Sequence, residues 1–186
     1  MNVESTPLPG VFVFEPVVRG DDRGFFIETF RASTYAEYGI PEMVQHNQSR
    51  SAKGVLRGVH FQLVQPQGKL VRVARGEVFD VAVDIRVGSP TFGAWFGVVL
   101  DDRAHRQMYI PPNFGHAFAV LSEVADFHYL CTDYYHPGSE STIAPFDPEI
   151  AILWPEIDTP WQLSDKDTEA PALSAIDPAR LPKYKA

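Results

Sequence analysis

The chain has 186 residues, 45% apolar and 22% charged, enough for one domain of residues 1–186 with a real hydrophobic core and too apolar for disorder. With 24 acids against 16 bases and a net charge of −8 it is a poor general nucleic-acid binder, and its single Cys131 excludes an internal disulfide or a multi-cysteine zinc site. No apolar run approaches the ~20 residues of a membrane helix, and the opening MNVESTPLPG has no leader-like segment, so a cytoplasmic location is expected.

In chain order, the first helix signal is Thr34 with Glu37, a capping box that predicts a short helix near Tyr35–Tyr38, stopped by Gly39 and Pro41. Strand signals then dominate. Leu56–Gln62 reads as a strand, and so does Lys69–Ala74. Residues 77–87 alternate Phe79, Val81, Val83, Ile85 and Val87 with Asp80, Asp84 and Arg86, which predicts a strand with one buried face. Arg75 and Gly76 read as a tight hairpin turn between these last two. Further apolar runs at 95–100, 107–110, 117–121 and 127–131 are separated by Gly, Pro, Asp and Ser, as in an all-β sandwich or barrel. Ser164 with Asp167 forms a second capping box, and residues 168–186 read as a loose or docked C-terminal extension.

Charge placement is informative. Met43 to Gly76 contains no Asp or Glu but holds Arg50, Lys53, Arg57, Lys69, Arg72 and Arg75. Either these form a surface stripe paired with acids elsewhere, or they mark a local anion site. The amides and imidazoles in the same window, Gln45, His46, Asn47 and His60 among them, favour a phosphorylated, hydrogen-bond-rich small molecule.

Candidate chemistry centres on histidine. His60 sits in an apolar strand, where an imidazole is either a satisfied core group or a base. His116 follows Pro111–Gly115, a loop that enters a strand, and is either a turn-stabilising or a site residue. No two histidines have the spacing of a β-barrel metal site, and no acid follows His60 until Glu77, so no catalytic metal is expected. Tyr134 and Tyr135 point to opposite faces at a strand end, so one of them is either packed or directed into a barrel mouth.

Seven motifs occur in one order: Asp22–Glu28, Val55–Gln62, Gly68–Arg72, Gly76–Arg86, Gly88–Gly93, Tyr109–Pro112 and Leu163–Asp167. Together they make the chain resemble the dTDP-4-dehydrorhamnose 3,5-epimerase family, from about residue 8 to about residue 173. The resemblance implies a cupin-like jelly roll with a few short helices, a homodimer, no metal or organic cofactor, and a dTDP-sugar substrate. It implies His60 as base, Tyr135 as acid, Asp167 as the carboxylate that orients the base and Lys69 as the donor to the developing oxyanion. Arg23 and Arg57 are implied to grip the diphosphate, with Phe26, Glu28, Gln45, His46 and Asn47 facing the base. His116, Glu140 and Lys166 complete the implied contacts. Position 46 carries His where the family more often has Asp or a small residue. Relatives that invert C5 alone or C3 alone use the same His, Tyr and Asp, and a sugar-nucleotide-binding protein without activity is the third reading.

Overall fold

A computed structural model describes residues 1–185. The strands, in chain order, are β1 Asn2–Ser5, β2 Phe12–Glu15, β3 Val18–Asp21, β4 Gly24–Ile27, β5 Gln45–Ala52, β6 Leu56–Gln62 and β7 Lys69–Arg75. They continue as β8 Glu77–Asp84, β9 Trp95–Asp101, β10 Gln107–Ile110, β11 Phe114–Val120, β12 Val124–Cys131 and β13 Glu140–Thr142. Two short helices, α1 Ala32–Ala36 and α2 Asp165–Thr168, complete the regular elements apart from single 3₁₀ turns.

Two antiparallel sheets form the expected sandwich. One runs β1-β2-β10-β7-β12-β5 and the other β13-β6-β11-β8-β9. Between them lie Val71 and Val73 of β7, Val78 and Ala82 of β8, and Phe118 and Phe127 of β11 and β12. A separate two-stranded ribbon, β3 with β4, stands outside both sheets. Among the described residues no helix is long and apolar enough to cross a membrane.

Three local expectations change. Arg75 and Gly76 do not close a hairpin: β7 pairs with β10 and β12, β8 pairs with β11 and β9, and the turn carries the chain from one sheet to the other. Gly76 makes that crossing at φ +85°, with its N–H donated to the Asp102 carboxylate at 2.7 Å. β8 is buried on both faces rather than one. Its apolar row of Phe79, Val81, Val83 and Ile85 packs under Ile150, Leu173 and Leu181, so the C-terminal segment is docked. The opposite row buries Asp80 and Asp84, and each carboxylate has found partners, as burial demands. Finally, α1 starts at Ala32 with Arg31 as N-cap and no side-chain cap, so Thr34 lies inside it. Burial of Tyr35, whose hydroxyl donates to Gln107 at 2.8 Å, holds this single turn in place of a capping box.

Candidate active site

Strand parity builds the site. On β5, Gln45, Asn47 and Ser49 point between the sheets, and on β12 so do Phe127 and Tyr129. With Arg57, His60, Lys69, His116, Tyr135 and Glu140 they line one cavity of about 330 Å³ at an end of the sandwich.

Arg57 and His60 are three residues apart, which in a regular strand places them on opposite faces. Here both reach the cavity because β6 carries a bulge. Against β11, Phe118 opposes Arg57 and His116 opposes His60, a shift of one residue that falls at Gly58 and Val59. Gly58 sits at φ +112°, and a Cβ there would lie 2.5 Å from the His116 carbonyl oxygen, so the bulge needs glycine. The Leu56–Gln62 motif is therefore a device for aiming a guanidinium and an imidazole at the same space.

The second capping box forms as expected, and it has a further role. The Ser164 hydroxyl caps the Asp167 N–H at 3.2 Å and donates to Asp167 Oδ2 at 2.9 Å. This leaves Oδ1 facing His60 Nε2 at 2.6 Å. Burial alone would raise the Asp167 carboxyl, but hydrogen bonds from His60, Ser164 and the Gly58 N–H outweigh it and hold the group below the usual carboxylate range. An ionised, fixed acceptor at Nε2 sets the His60 tautomer and leaves the other ring nitrogen free of that carboxylate.

His116 is aligned with His60 across β11 and β6 and forms a second pair, Nε2 to Asp80 at 2.9 Å. Burial pushes the His116 imidazole below its ordinary value despite Asp80, with Lys69 and His60 acting in the same direction as burial. Lys69 opens β7 with its side chain partly buried at the cavity, and among the described residues no carboxylate lies within ion-pair distance of it. Burial lowers its pKa, partly countered by Cys131, Glu140 and Asp80.

Two tyrosines face the cavity. Tyr135 stands at the mouth, half exposed, its hydroxyl donated to Glu140 Oε2 at 3.1 Å and its N–H to Gln45 at 3.0 Å. The same Glu140 oxygen accepts from Lys166 at 2.5 Å, so Glu140 and Lys166 form a rim rather than an inner wall. Tyr129 is the functional candidate that sequence reasoning missed. It lies deeper, on β12 in the sheet opposite His60, and burial raises its pKa. Its signal was its parity with Phe127 and Cys131, which only a known register makes legible.

Five expected contacts do not line this cavity: Lys166, which meets it only through Glu140, and Arg23, Phe26, Glu28 and His46. Arg23, Phe26 and Glu28 belong to or follow the ribbon of β3 and β4. Arg23 is 89% exposed and paired with Asp21, Phe26 is 69% exposed, and Glu28 is paired with Arg31 at 2.5 Å. His46 points to the outer face of the six-stranded sheet, because it alternates with Gln45 and Asn47. Of the basic segment, Arg50 pairs with Asp126 and Lys53 with Asp158, whereas Arg57 and Lys69 face the cavity, so the surface-stripe and anion-site readings each hold for part of it.

Comparison with known proteins agrees with this geometry. A sequence profile described as dTDP-4-dehydrorhamnose 3,5-epimerase matches residues 5–175. The dTDP-4-dehydrorhamnose 3,5-epimerase of Pseudomonas aeruginosa is 51% identical over 179 residues, covering 95% of this chain and 98% of its own. A dTDP-6-deoxy-D-glucose-3,5-epimerase of Legionella pneumophila, solved with dTDP-4-keto-L-rhamnose, superposes with a TM-score of 0.97 at 55% identity, covering 100% of this chain and 99% of that one. A 3'-monoepimerase of Streptomyces bikiniensis, solved with dTDP as a double mutant in which one histidine and one tyrosine are replaced, has a TM-score of 0.91 at 35% identity, covering 97% and 92%. Sequence identity and a shared fold over nearly the whole length, on top of the jelly-roll cavity already described, place this chain in the dTDP-4-dehydrorhamnose 3,5-epimerase family of isomerases.

Proposed function

We propose that this protein inverts C3 and C5 of dTDP-4-dehydro-6-deoxy-D-glucose to give dTDP-4-dehydro-L-rhamnose, acting as a single domain in the cytoplasm. The observation that carries this reading is the His60–Asp167 pair at 2.6 Å on one wall of a cavity whose opposite wall bears Tyr129 and Lys69. The C4 ketone acidifies the hydrogens on its neighbouring carbons. His60 removes one as a proton, and the C–H electron pair forms a C–C double bond while the carbonyl pair moves onto oxygen. Lys69 donates to that enolate oxygen, a placement typically worth ~3–4 kcal/mol. A phenol on the far face returns a proton to carbon as the enolate collapses to the ketone, and the imidazolium and phenolate then re-equilibrate with water. The sequence points to Tyr135 as that phenol. We assign the step to Tyr129, because it lines the cavity from the sheet opposite His60 and is partly buried, whereas Tyr135 is half exposed and its hydroxyl is given to Glu140. Tyr135 then closes the mouth over the sugar. The chemistry draws on these side chains and needs no metal or organic cofactor.

Arg57 and His116 are suited to the diphosphate, and Gln45 and Asn47 to the base. Arg23, Phe26 and Glu28 do not line their own cavity; they lie on or just after the ribbon, beside the exposed Val18 and Phe25. We place them in the cavity of a second copy, which makes the working unit a homodimer.

Incubation with the keto-sugar nucleotide in deuterated water tests the reading. Deuterium at both C3 and C5 by NMR supports it, exchange at a single carbon assigns the chain to the monoepimerases, and binding of dTDP without exchange leaves a binding protein. Tyr129→Phe is expected to abolish inversion while retaining wash-out of substrate deuterium by His60, and Tyr135→Phe to act mainly on KM. The reverse pattern returns the acid role to Tyr135.

A further inference from the structure

The outer face of the six-stranded sheet carries a second cavity, of about 200 Å³, floored by His46, Arg72 and His128 and bordered by Thr29 and Phe30. The sheet stands between it and the His60 cavity: His46 and Arg72 alternate with Asn47 and Val71, which face inward, and Tyr129 borders both cavities. His46 Nε2 and His128 Nδ1 are 3.4 Å apart. The guanidinium of Arg72 is half buried beside them, and among the described residues no carboxylate forms an ion pair with it.

Every other charged or polar group nearby is already committed. From β12, Asp126 is held by Arg50 of β5 at 2.6 Å. Glu28, beyond the ribbon, is held by Arg31. The Gln107 amide donates to the Thr29 carbonyl at 3.0 Å and accepts from the Tyr35 hydroxyl of α1. What remains is one half-desolvated guanidinium and two imidazoles converging without an anion. Taking a guanidinium out of water without a counter-charge is unfavourable, and its planar fork matches a tetrahedral oxyanion.

We propose that this outer pocket binds a small oxyanion of the phosphate class, at a site distinct from the nucleotide-sugar cavity. In the free protein, burial together with Arg72 and His46 holds the His128 imidazole below its ordinary value, against the pull of Asp126. A bound phosphate reverses that balance, so binding takes up a proton and tightens as pH falls.

The test is an NMR titration of the imidazole rings with inorganic phosphate, on protein saturated with dTDP so that the inner cavity is filled. The rings of His46 and His128 are expected to shift saturably with one phosphate per chain, at lower phosphate at pH 6 than at pH 8. Arg72→Met should raise the midpoint about tenfold or more, the usual cost of a lost charge-assisted contact. Arg72→Lys should recover part of it, and His128→Asn should flatten the pH dependence. Continued binding of dTDP by each variant reports an intact fold. Silence of both rings on phosphate addition overturns the proposal, as does an Arg72→Met protein that titrates like its parent. A shift of the two rings on dTDP rather than on phosphate overturns it too, since the pocket then serves the nucleotide.

Discussion

The inner wall of the cavity and the ribbon of β3 and β4 treat their polar residues in opposite ways. In the cavity His60 is held by Asp167, Asp167 by Ser164 and the Gly58 N–H, and His116 by Asp80, all within hydrogen-bond distance and largely out of water. On the ribbon Arg23 meets only its neighbour Asp21, and Phe25 and Phe26 lie in solvent. The cavity groups are fixed by partners within their own chain, whereas Arg23 and Phe26 are left largely in solvent, as the proposed role in a second copy requires. Preorganisation of the first kind is what proton transfer and oxyanion stabilisation require.

The largest effects belong to the inner wall. His60→Ala is expected to lower deuterium exchange at C3 and C5 by about 10²–10⁴-fold, the usual range for a general base. Binding of dTDP should survive, as calorimetry would reveal. Asp167→Asn leaves the imidazole without an ionised partner and should cost ~10²-fold or more in kcat with little change in KM. An Asp167→Asn enzyme with normal turnover would break the link between the capping box and the base.

Lys69→Met comes next, with kcat expected to fall roughly 10²–10³-fold through loss of the donor to the enolate. Its effect on stability has the opposite sign. The buried ammonium titrates below 10.5, so between its folded pKa and 10.5 the unfolded chain holds more protons, and the stability of the parent rises with pH across that window. Below the window the penalty of the buried charge is fully present. The Met variant should therefore be at least as stable as the parent at neutral pH and lack this alkaline rise, which denaturant melts at several pH values would check.

Much of this arrangement was legible in the sequence, but unevenly. Alternation gave the strands, and Ser164 with Asp167 gave a helix start whose carboxylate faces His60 at 2.6 Å. What sequence patterns cannot report is which strands pair. Arg75 and Gly76 look like a hairpin because local turn chemistry is the same whether a chain folds back or changes sheet. His46 looks like a site residue beside Gln45 and Asn47 until parity turns it to the other face. Tyr129 stayed hidden for the converse reason, since an aromatic in an apolar run reads as core whether or not it borders a cavity. The one-residue shift at Gly58 has no pattern of its own, yet it decides that Arg57 and His60 act together.

The smallest single-variant effects are expected on the ribbon, and they sharpen the comparison most. Arg23→Ala or Phe26→Ala removes side chains that are largely in solvent, so stability should change by less than ~0.5 kcal/mol. Loss of a diphosphate or stacking contact should raise KM about tenfold while kcat holds. The decisive arm mixes two deficient proteins. In a heterodimer of His60→Ala and Arg23→Ala chains, the cavity that keeps His60 receives its ribbon from the chain that keeps Arg23, so one complete site is restored. A ribbon that served its own chain would leave both sites defective, one lacking the base and one lacking the guanidinium. Recovery of low-KM activity on mixing, measured after subunit exchange, therefore reports ribbon exchange directly, and mixing without recovery sinks the idea that a second copy completes the site.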